Sequence, residues 1–339
     1  MGAALYDPQD GYYCRQGAER WGRAGDYRTS PERSSLFAAT FARYFANLYE
    51  QLDKPHRWTI VEMGAGAGYF AEGVLTTFQH QFPETFAATK YIVDELSPAS
   101  VEIARNRLAP FHDRVEFSDP NPAETGIVFS NELLDAFPVH RVILKDGELR
   151  ELYVRVNDSN EFEWTDGALS TTQLSEYFDY VDVHLTQNGQ IAEVNLEVRD
   201  WLARVATLFD RGYLITVDYG DEAANLFGSQ GRREGTLRAF HRHQFANVFE
   251  NPGEQDITTT VDWTYVKRLG EAEGLNTVNF ERLDQFLLGA GILEQLELIS
   301  AQTSLESDRA TFRTRAREMI LPTGMAASFQ VLVQTKINP

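Results

Sequence analysis

The sequence predicts an α/β fold, a mostly parallel, doubly wound sheet with helices on its faces, interrupted once by an all-β insertion. Three observations carry the prediction. A β-rich run, Trp58 to Val61, ends at Glu62, and Gly64, Gly66 and Gly68 separate it from helix-compatible sequence beginning at Tyr69. A second run, Tyr91 to Leu96, contains Asp94 and Glu95 and gives way to a helix start at Ser97-Pro98. A third, Thr125 to Phe129, runs straight into Ser130-Asn-Glu-Leu-Leu-Asp-Ala-Phe-Pro-Val139. Strands alternating with helical patterns in this way are the mark of βαβ units.

Composition sets the outer limits. The 339 residues suffice for one large domain or two small ones. Hydrophobic and charged fractions of 43% and 24% are those of a globular chain. The net charge of −19 argues against a nucleic-acid partner, which would need clustered Lys and Arg. A single cysteine, Cys14, excludes an internal disulfide or a cysteine zinc site and reads as structural. The start, Met1 to Asp7, lacks the basic and apolar regions of a signal peptide, and no apolar run suits membrane insertion. The expectation is a cytoplasmic protein of bacterial type, or a mitochondrial matrix protein if a presequence has been removed. His241 and His243 have no companion acids at ligand spacing, so no metal site is expected.

Taken in order, residues 1–30 are rich in Gly, Tyr and Arg and follow neither the helix nor the strand period, which reads as a loop lying over the core or over a ligand. Thr29-Ser-Pro-Glu32 is a helix start, with Thr29 and Glu32 spaced as a capping box. Leu36, Phe37, Phe41, Tyr44, Phe45, Leu48 and Leu52 then follow at helical spacing. The helix from Tyr69 extends to about Gln79, and Arg114 to Asp119 is a short third strand. Val142 to Arg150 is a hairpin turning at Asp146-Gly147, and Leu152–Val156 and Glu161–Trp164 extend it to a β-meander. Residues 165–192 are weakly patterned. Val194 to Asp210 is helical, Gly212 to Gly220 is a strand containing Asp218, and a long polar stretch follows to about Thr260. Asp262 to Glu273 is helical, and Phe329 to Thr335 is the closing strand. The division expected is 1–55 as an N-terminal loop and helix over the ligand site, 56–140 and 193–339 as the core, and 141–192 as an inserted substrate-side region.

The glycine turn is the first chemical signal. A turn without side chains lets a ligand lie against backbone N–H groups and the helix N-terminus. Glu62 can accept hydrogen bonds from a ligand's amine or hydroxyls. The spacing is G-x-G-x-G, not the dinucleotide G-x-G-x-x-G. It resembles motif I of S-adenosylmethionine (SAM) methyltransferases. On this turn alone a nicotinamide or flavin site, or a plain strand–helix turn, stays open. Asp94 and Glu95 compete for the ribose hydroxyls at the end of the second strand. Asp119 is placed to meet an adenine amino group, though a turn acid before Pro120 reads as well. Asn131, Glu132 and Asp135 lie at a strand's carboxyl end, where a methyl acceptor would lie, and acids opening a helix can also be mere dipole partners.

Several segments together resemble one family, the MidA-like SAM-dependent methyltransferases, whose mitochondrial members act in respiratory complex I assembly. The resemblance rests on Gly22-Arg-Ala-Gly-Asp-Tyr-Arg-Thr-Ser-Pro-Glu32, Glu62 to Gly68, Glu95-Leu-Ser-Pro98 and, most specifically, Ser130 to Val139. Asp218-Tyr-Gly220, Gly235 to Ala239, Pro252 to Thr258 with Val261-Asp-Trp263, and Leu321 to Met325 follow in the family's order. It implies a Rossmann-like seven-stranded SAM methyltransferase sheet with an N-terminal helical lid segment. It also implies Glu95 as the ribose acid, and Gly25 and Thr29 among the cofactor-facing residues. Two departures are visible: Thr259-Thr260 stand where the family commonly has Ala-His, and Ala65 where it often has Pro.

The reaction implied is methyl transfer to an arginine guanidinium nitrogen of a protein partner; a respiratory-complex subunit is the candidate substrate, and a second copy of the chain, as a homodimer, is a further candidate partner. Guanidinium is always charged and poorly nucleophilic. A carboxylate pair can grip it bidentately and align it with the methyl group. Glu132 is the expected clamp, Asn131 an orienting group and Asp135 a second support, the two acids sharing one face if the segment is helical. The rival readings are a methyltransferase for a small molecule or another residue, and a SAM-binding assembly factor with little turnover.

Overall fold

A computed structural model describes residues 1–15, 35–228, 230–241, 244–321 and 323–337. Gly25, Thr29, the capping box and His243 lie outside the described residues. The strands are β1 (Trp58–Met63), β2 (Thr89–Asp94), β3 (Val115–Phe117), β4 (Ala123–Asn131), β5 (His140–Lys145), β6 (Glu148–Val156), β7 (Phe162–Gly167), β8 (Ile191–Val194), β9 (Phe209–Asp221), β10 (Arg238–His241), β11 (Gln244–Ala246), β12 (Asp256–Thr258), β13 (Val261–Asp262), β14 (Asn276–Arg282) and β15 (Phe329–Lys336).

The main sheet runs β14-β15-β9-β4-β1-β2-β3, seven strands in line, with the short β13 alongside β9. β3, β2, β1, β4 and β9 pair in parallel, and β15 is antiparallel to both of its neighbours. The α/β class expected from the sequence is the one found. Because β1 lies between β2 and β4, the chain winds in opposite directions from it, and the crevice at its carboxyl end is where such sheets bind ligands.

Each face of the sheet is covered by helices whose apolar stripes the sequence shows. On one face, helix Ser35–Gln51 buries Leu36, Phe37, Phe41, Phe45 and Leu48, and helix Tyr69–Gln81 buries Phe70, Val74 and Phe78. Phe70 stacks on Phe129 of β4 with ring centroids 4.2 Å apart, and Phe41 and Phe45 meet the same ring edge-on. On the other face, helix Glu197–Ala206 buries Val198, Trp201, Leu202 and Val205, and helix Trp263–Ala272, capped by the Asp262 carboxylate, buries Tyr265, Val266 and Leu269. Such edge and offset aromatic contacts add to burial by about 1 kcal/mol each.

Between β4 and β9 the chain leaves this sheet. β7-β6-β5-β8 form a separate antiparallel sheet, and β6 runs unbroken from Glu148 to Val156. The stretch read as weakly patterned contains helix Gln173–Val181, with Leu174, Tyr177, Phe178 and Val181 buried at i, i+3, i+4 and i+7. The long polar stretch before Thr260 also has structure: helix Ala223–Gly228 and the small sheet β11-β10-β12. The N-terminal segment, read as loop throughout, starts with helix Gly2–Tyr6, and Leu5 and Tyr12 pack against Ala239 and Ile257 of that small sheet. β14 is a strand the sequence reading did not identify, and helices Leu283–Gly289, Ile292–Gln302 and Glu306–Ile320 connect it to β15. Among the described residues no helix is long and apolar enough to cross a membrane.

Candidate active site

The glycine turn leaves β1 with three left-handed residues, Gly64 at φ 71°, Gly66 at φ 54° and Gly68 at φ 77°. A Cβ at Gly68 would stand 3.1 Å from the Ala104 Cβ, and one at Gly64 would stand 3.0 Å from the Leu133 Cδ1. The turn is therefore glycine both for its backbone angles and for close approach. Gly64 N–H donates to the Asp94 carbonyl at 2.8 Å, which ties the turn to the end of β2.

Two acids frame the turn. Glu62 is 5% exposed, and its Oε2 accepts the Tyr91 hydroxyl at 2.7 Å. Burial pushes its carboxyl up to about 8, with the Glu95 charge adding to the effect. Glu95, just beyond β2, reaches back across the turn: Oε2 accepts the Gly66 N–H at 2.8 Å and Oε1 the Ser97 N–H at 2.7 Å. Asp94 is held elsewhere, by Arg204 of helix Glu197–Ala206 at 3.2 Å. Asp119 is fully exposed and lies 3.9 Å from the same guanidinium. The two acids thus serve different partners, Asp94 the helix guanidinium and Glu95 the glycine turn.

The segment after β4 is not an α-helix, which corrects the expectation that Glu132 and Asp135 share a helix face. β4 continues to Asn131, Glu132 is left-handed at φ 52°, and a 3₁₀ turn covers Leu134–Ala136. The reason is Asp218, at the carboxyl end of β9. Its Oδ2 accepts the backbone N–H groups of Leu133, Leu134 and Asp135 at 3.2, 3.0 and 3.3 Å, and its Oδ1 accepts that of Tyr219 at 2.9 Å. One buried carboxylate thus satisfies the donors that a regular first helical turn would leave open. Burial beside Asp135 and Glu132 raises the Asp218 carboxyl, and the backbone N–H groups act against that rise.

Around this loop the polar groups are dense and incompletely satisfied. Asn131 Nδ2 donates to Glu132 Oε1 at 3.0 Å, while Asn131 Oδ1 and Asp135 Oδ1 are buried without a hydrogen-bond partner among the described residues. So are the hydroxyls of Ser130 and Thr216, residues paired in register on β4 and β9. Burial pushes the Asp135 carboxyl up to about 7, opposed by the Tyr219 hydroxyl bond and assisted by Glu132. Among the described residues no Lys, Arg or His pairs with Asp135 or Asp218. The Tyr6 hydroxyl donates to the Ala136 carbonyl at 2.9 Å, and after burial the fields of Asp135, Asp256, Glu197 and Glu95 all hold its proton on. Tyr6, Tyr219 and the loop-supporting role of Asp218 escaped the sequence reading. The signal for the last two was present in an acid and a tyrosine placed at the carboxyl end of a core strand.

Thr259, where the family commonly has Ala, is buried and donates its N–H to the Asp135 carbonyl at 2.9 Å. Thr260, at the family's His position, lines a separate cavity with Tyr177, Asn195, Thr236 and Asp262. That cavity contains no residue of the glycine turn, but it borders the acidic loop through Asn195, whose Nδ2 donates to the Leu134 carbonyl at 3.2 Å.

Residues 40–281 match the S-adenosyl-L-methionine-dependent methyltransferase family model. The chain belongs to that family. A crystal structure from Burkholderia thailandensis, bound to S-adenosyl-homocysteine, is similar over 100% of this chain and 87% of its own, with a TM-score of 0.85 and 27% identity. The mitochondrial protein arginine methyltransferase NDUFAF7 homolog of Drosophila melanogaster is 25% identical, the match spanning 97% of this chain and 81% of the relative. The human protein arginine methyltransferase NDUFAF7 is 23% identical over 91% of this chain and 73% of its own length. The methyltransferase takes SAM as cofactor, and its residues fit that group. The three left-handed glycines keep side chains off the turn, and the buried Glu62 carboxyl, held high by burial, suits the ammonium of a bound amino acid moiety.

Proposed function

We propose that this methyltransferase acts on an arginine guanidinium nitrogen of a protein partner. The observation that carries the reading is the acidic loop, where Glu132, Asp135 and Asp218 converge and the two buried acids have no described cation. Burial raises the carboxyls of Asp135 and Asp218, the Glu132 charge adds to both, and a permanent cation entering the loop relieves them. Guanidinium is that cation, because it stays charged and presents a fork of donors. The arginine methyltransferase names of the relatives support the same choice.

In this reading Glu132 and Asp135 accept the guanidinium donors, and Asn131 orients Glu132 through the 3.0 Å bond between them. Asp218 and Tyr219 hold the loop from below. On the cofactor side, Glu62 takes the ammonium of SAM and Glu95 its ribose hydroxyls, Asp94 being engaged by Arg204. The turn Gly64–Gly68 lies against the cofactor, and Asp119 is assigned to the adenine amino group. Bound SAM supplies an electrophilic methyl on its sulfonium. Everything else is positioning: the carboxylates draw charge to the far nitrogens and leave the remaining one aligned with the methyl. Residues 141–192 are assigned to the partner side of the site, and 1–55 to its cover.

The test is incubation of pure protein with labelled SAM and cell lysate. Label in a protein band, recovered as methylarginine after hydrolysis, supports the reading. Label in a small molecule or another residue, or binding without transfer, opposes it.

A further inference from the structure

We propose that Tyr6 is a positioning residue for the transfer: its hydroxyl holds the acceptor loop from the N-terminal segment, which thereby completes the acceptor half of the site. The proposal rests on the reading above that the Asn131–Asp135 loop takes the acceptor. The 3₁₀ turn Leu134–Ala136 is too short to satisfy its own backbone groups. Its N–H side leans on Asp218, and its carbonyl side leans on three separate elements. Asn195, just past β8, donates its Nδ2 to the Leu134 carbonyl at 3.2 Å. Thr259, just past β12, donates its N–H to the Asp135 carbonyl at 2.9 Å. Tyr6, the last residue of helix Gly2–Tyr6, donates its hydroxyl to the Ala136 carbonyl at 2.9 Å. Each carbonyl of the turn thus has a donor from outside it, and the last of them lies 130 residues away in the chain.

The hydroxyl is fixed because the segment that carries it is seated on the small sheet. Leu5 and Tyr12 are buried against Ala239 of β10 and Ile257 of β12. The Tyr6 ring stacks on that of Tyr13 with centroids 5.5 Å apart, and the Tyr13 hydroxyl donates to Asp256 Oδ1 of β12 at 2.8 Å. Arg15 Nη1 lies 2.8 Å from Glu254 Oε1. At Gly253 the two stretches of backbone approach so closely that a Cβ would collide with the Asp10 carbonyl. Asp256 stands just ahead of Thr259, so the two tyrosines and Thr259 form one brace. Tyr13 holds the strand that leads to Thr259, and Tyr6 holds the next carbonyl of the same turn.

The brace acts on the acceptor side. The Glu132 N–H donates to the Val217 carbonyl at 2.9 Å, which anchors the loop at its start. Its far end, just after Asp135, is anchored by Tyr6. Between these two points stand the carboxylates assigned to the guanidinium. A turn released at Ala136 shifts Asp135 relative to Glu132, and transfer geometry tolerates little: a misplacement of about 1 Å costs about 100-fold in rate. The glycine turn is tied instead to the Asp94 carbonyl and to Glu95. Tyr6 therefore acts on transfer through the loop, and the cofactor half stands without it.

Tyr6→Phe removes the hydroxyl alone. With labelled SAM and cell lysate its initial rate of transfer should fall at least about ten-fold, while SAM affinity by calorimetry stays within about two-fold of wild type. Replacing Tyr6 by 4-aminophenylalanine, whose aryl amine keeps a donor at the same ring position, should restore most of the rate. Tyr213→Phe, which loses a 3.0 Å hydroxyl bond to Gln51 Oε1 towards the amino end of β9, should transfer at the wild-type rate. A wild-type rate in Tyr6→Phe, an equal loss in Tyr213→Phe, or no recovery with 4-aminophenylalanine contradicts the assignment, as does SAM affinity lost together with the rate. Hydrogen exchange gives a readout that needs no acceptor. Backbone amides of residues 133–137 should exchange faster in Tyr6→Phe than in wild type, with those of residues 64–70 unchanged; unchanged exchange at 133–137 overturns the proposal. Label on a non-arginine acceptor removes the arginine reading but leaves both comparisons in force, because each sets variant against wild type under the same conditions.

Discussion

Asp218 Oδ2 accepts the Leu134 N–H at 3.0 Å across 84 residues of sequence, and this bond sets the shape of the loop that carries Glu132 and Asp135. Its neighbours at Leu133 and Asp135 make the carboxylate a three-point support. Asp218→Asn replaces one accepting oxygen by an amide donor that faces N–H groups. Leaving buried donors unsatisfied costs about 1–3 kcal/mol, so chemical denaturation should show a loss of about 2 kcal/mol, with transfer lost as well. Wild-type stability in this variant would mean that the loop is supported in another way.

Glu132 tests the opposite sign. Its φ of 52° is a left-handed conformation that costs a residue with a Cβ about 1 kcal/mol. Glu132→Gly relieves that strain and removes the clamp. Its stability by denaturation should equal or exceed wild type, while methyl transfer collapses. A variant both unstable and inactive would show that Glu132 is structural.

Gly68→Ala should damage the cofactor side alone. The φ of 77° and the 3.1 Å approach to Ala104 leave no strain-free place for a methyl. The conformational cost is about 1–2 kcal/mol, and any shift of the turn disturbs the Gly66 N–H bond that holds Glu95, the residue assigned to the ribose. Calorimetry should show SAM affinity reduced at least about ten-fold, as about 1.4 kcal/mol implies. Unchanged affinity would place the cofactor away from the turn.

Glu62 gives the methyltransferase a pH signature. Folded Glu62 keeps its proton to about pH 8, whereas its unperturbed value is 4.5. The folded state therefore binds the extra proton between those values, and stability of the free protein falls as pH rises through that window. Asp135 adds to the same slope, so the informative comparison is with Glu62→Gln, in which the decline from pH 5 to 8 should be shallower. SAM, if its ammonium meets Glu62, favours the carboxylate, so wild-type affinity should rise from pH 6 to 8 and that of Glu62→Gln should not. Parallel pH dependence in the two proteins would remove Glu62 from the site.

What could be read in the sequence, and what could not, follows from the range of the interactions. The glycine turn is local: alternate glycines after a buried strand have few other uses, and β1, the turn and helix Tyr69–Gln81 emerged together. β14 was missed because its period is diluted at the sheet edge, where Val278 is exposed and only Phe280 packs inward. Helix Gln173–Val181 carried a readable stripe that its polar surroundings hid. The loop at Glu132 was misread for a deeper reason. Its left-handed residue is neither Gly nor Asn, and its donors are satisfied by a carboxylate on a distant strand, so no window around residue 132 contains the cause. Tyr6 was hidden in the same way, since its bond to Ala136 spans 130 residues.

The central claim is that Glu132 serves the acceptor and not the cofactor. The most direct measurement compares wild type with Glu132→Ala for SAM binding by calorimetry and for label transferred from SAM to arginine in protein. The account predicts methylarginine from the wild type, none from Glu132→Ala, and SAM affinities equal within about two-fold, under about 0.5 kcal/mol. Arginine methylation that persists in Glu132→Ala, or SAM binding lost together with transfer, would contradict it.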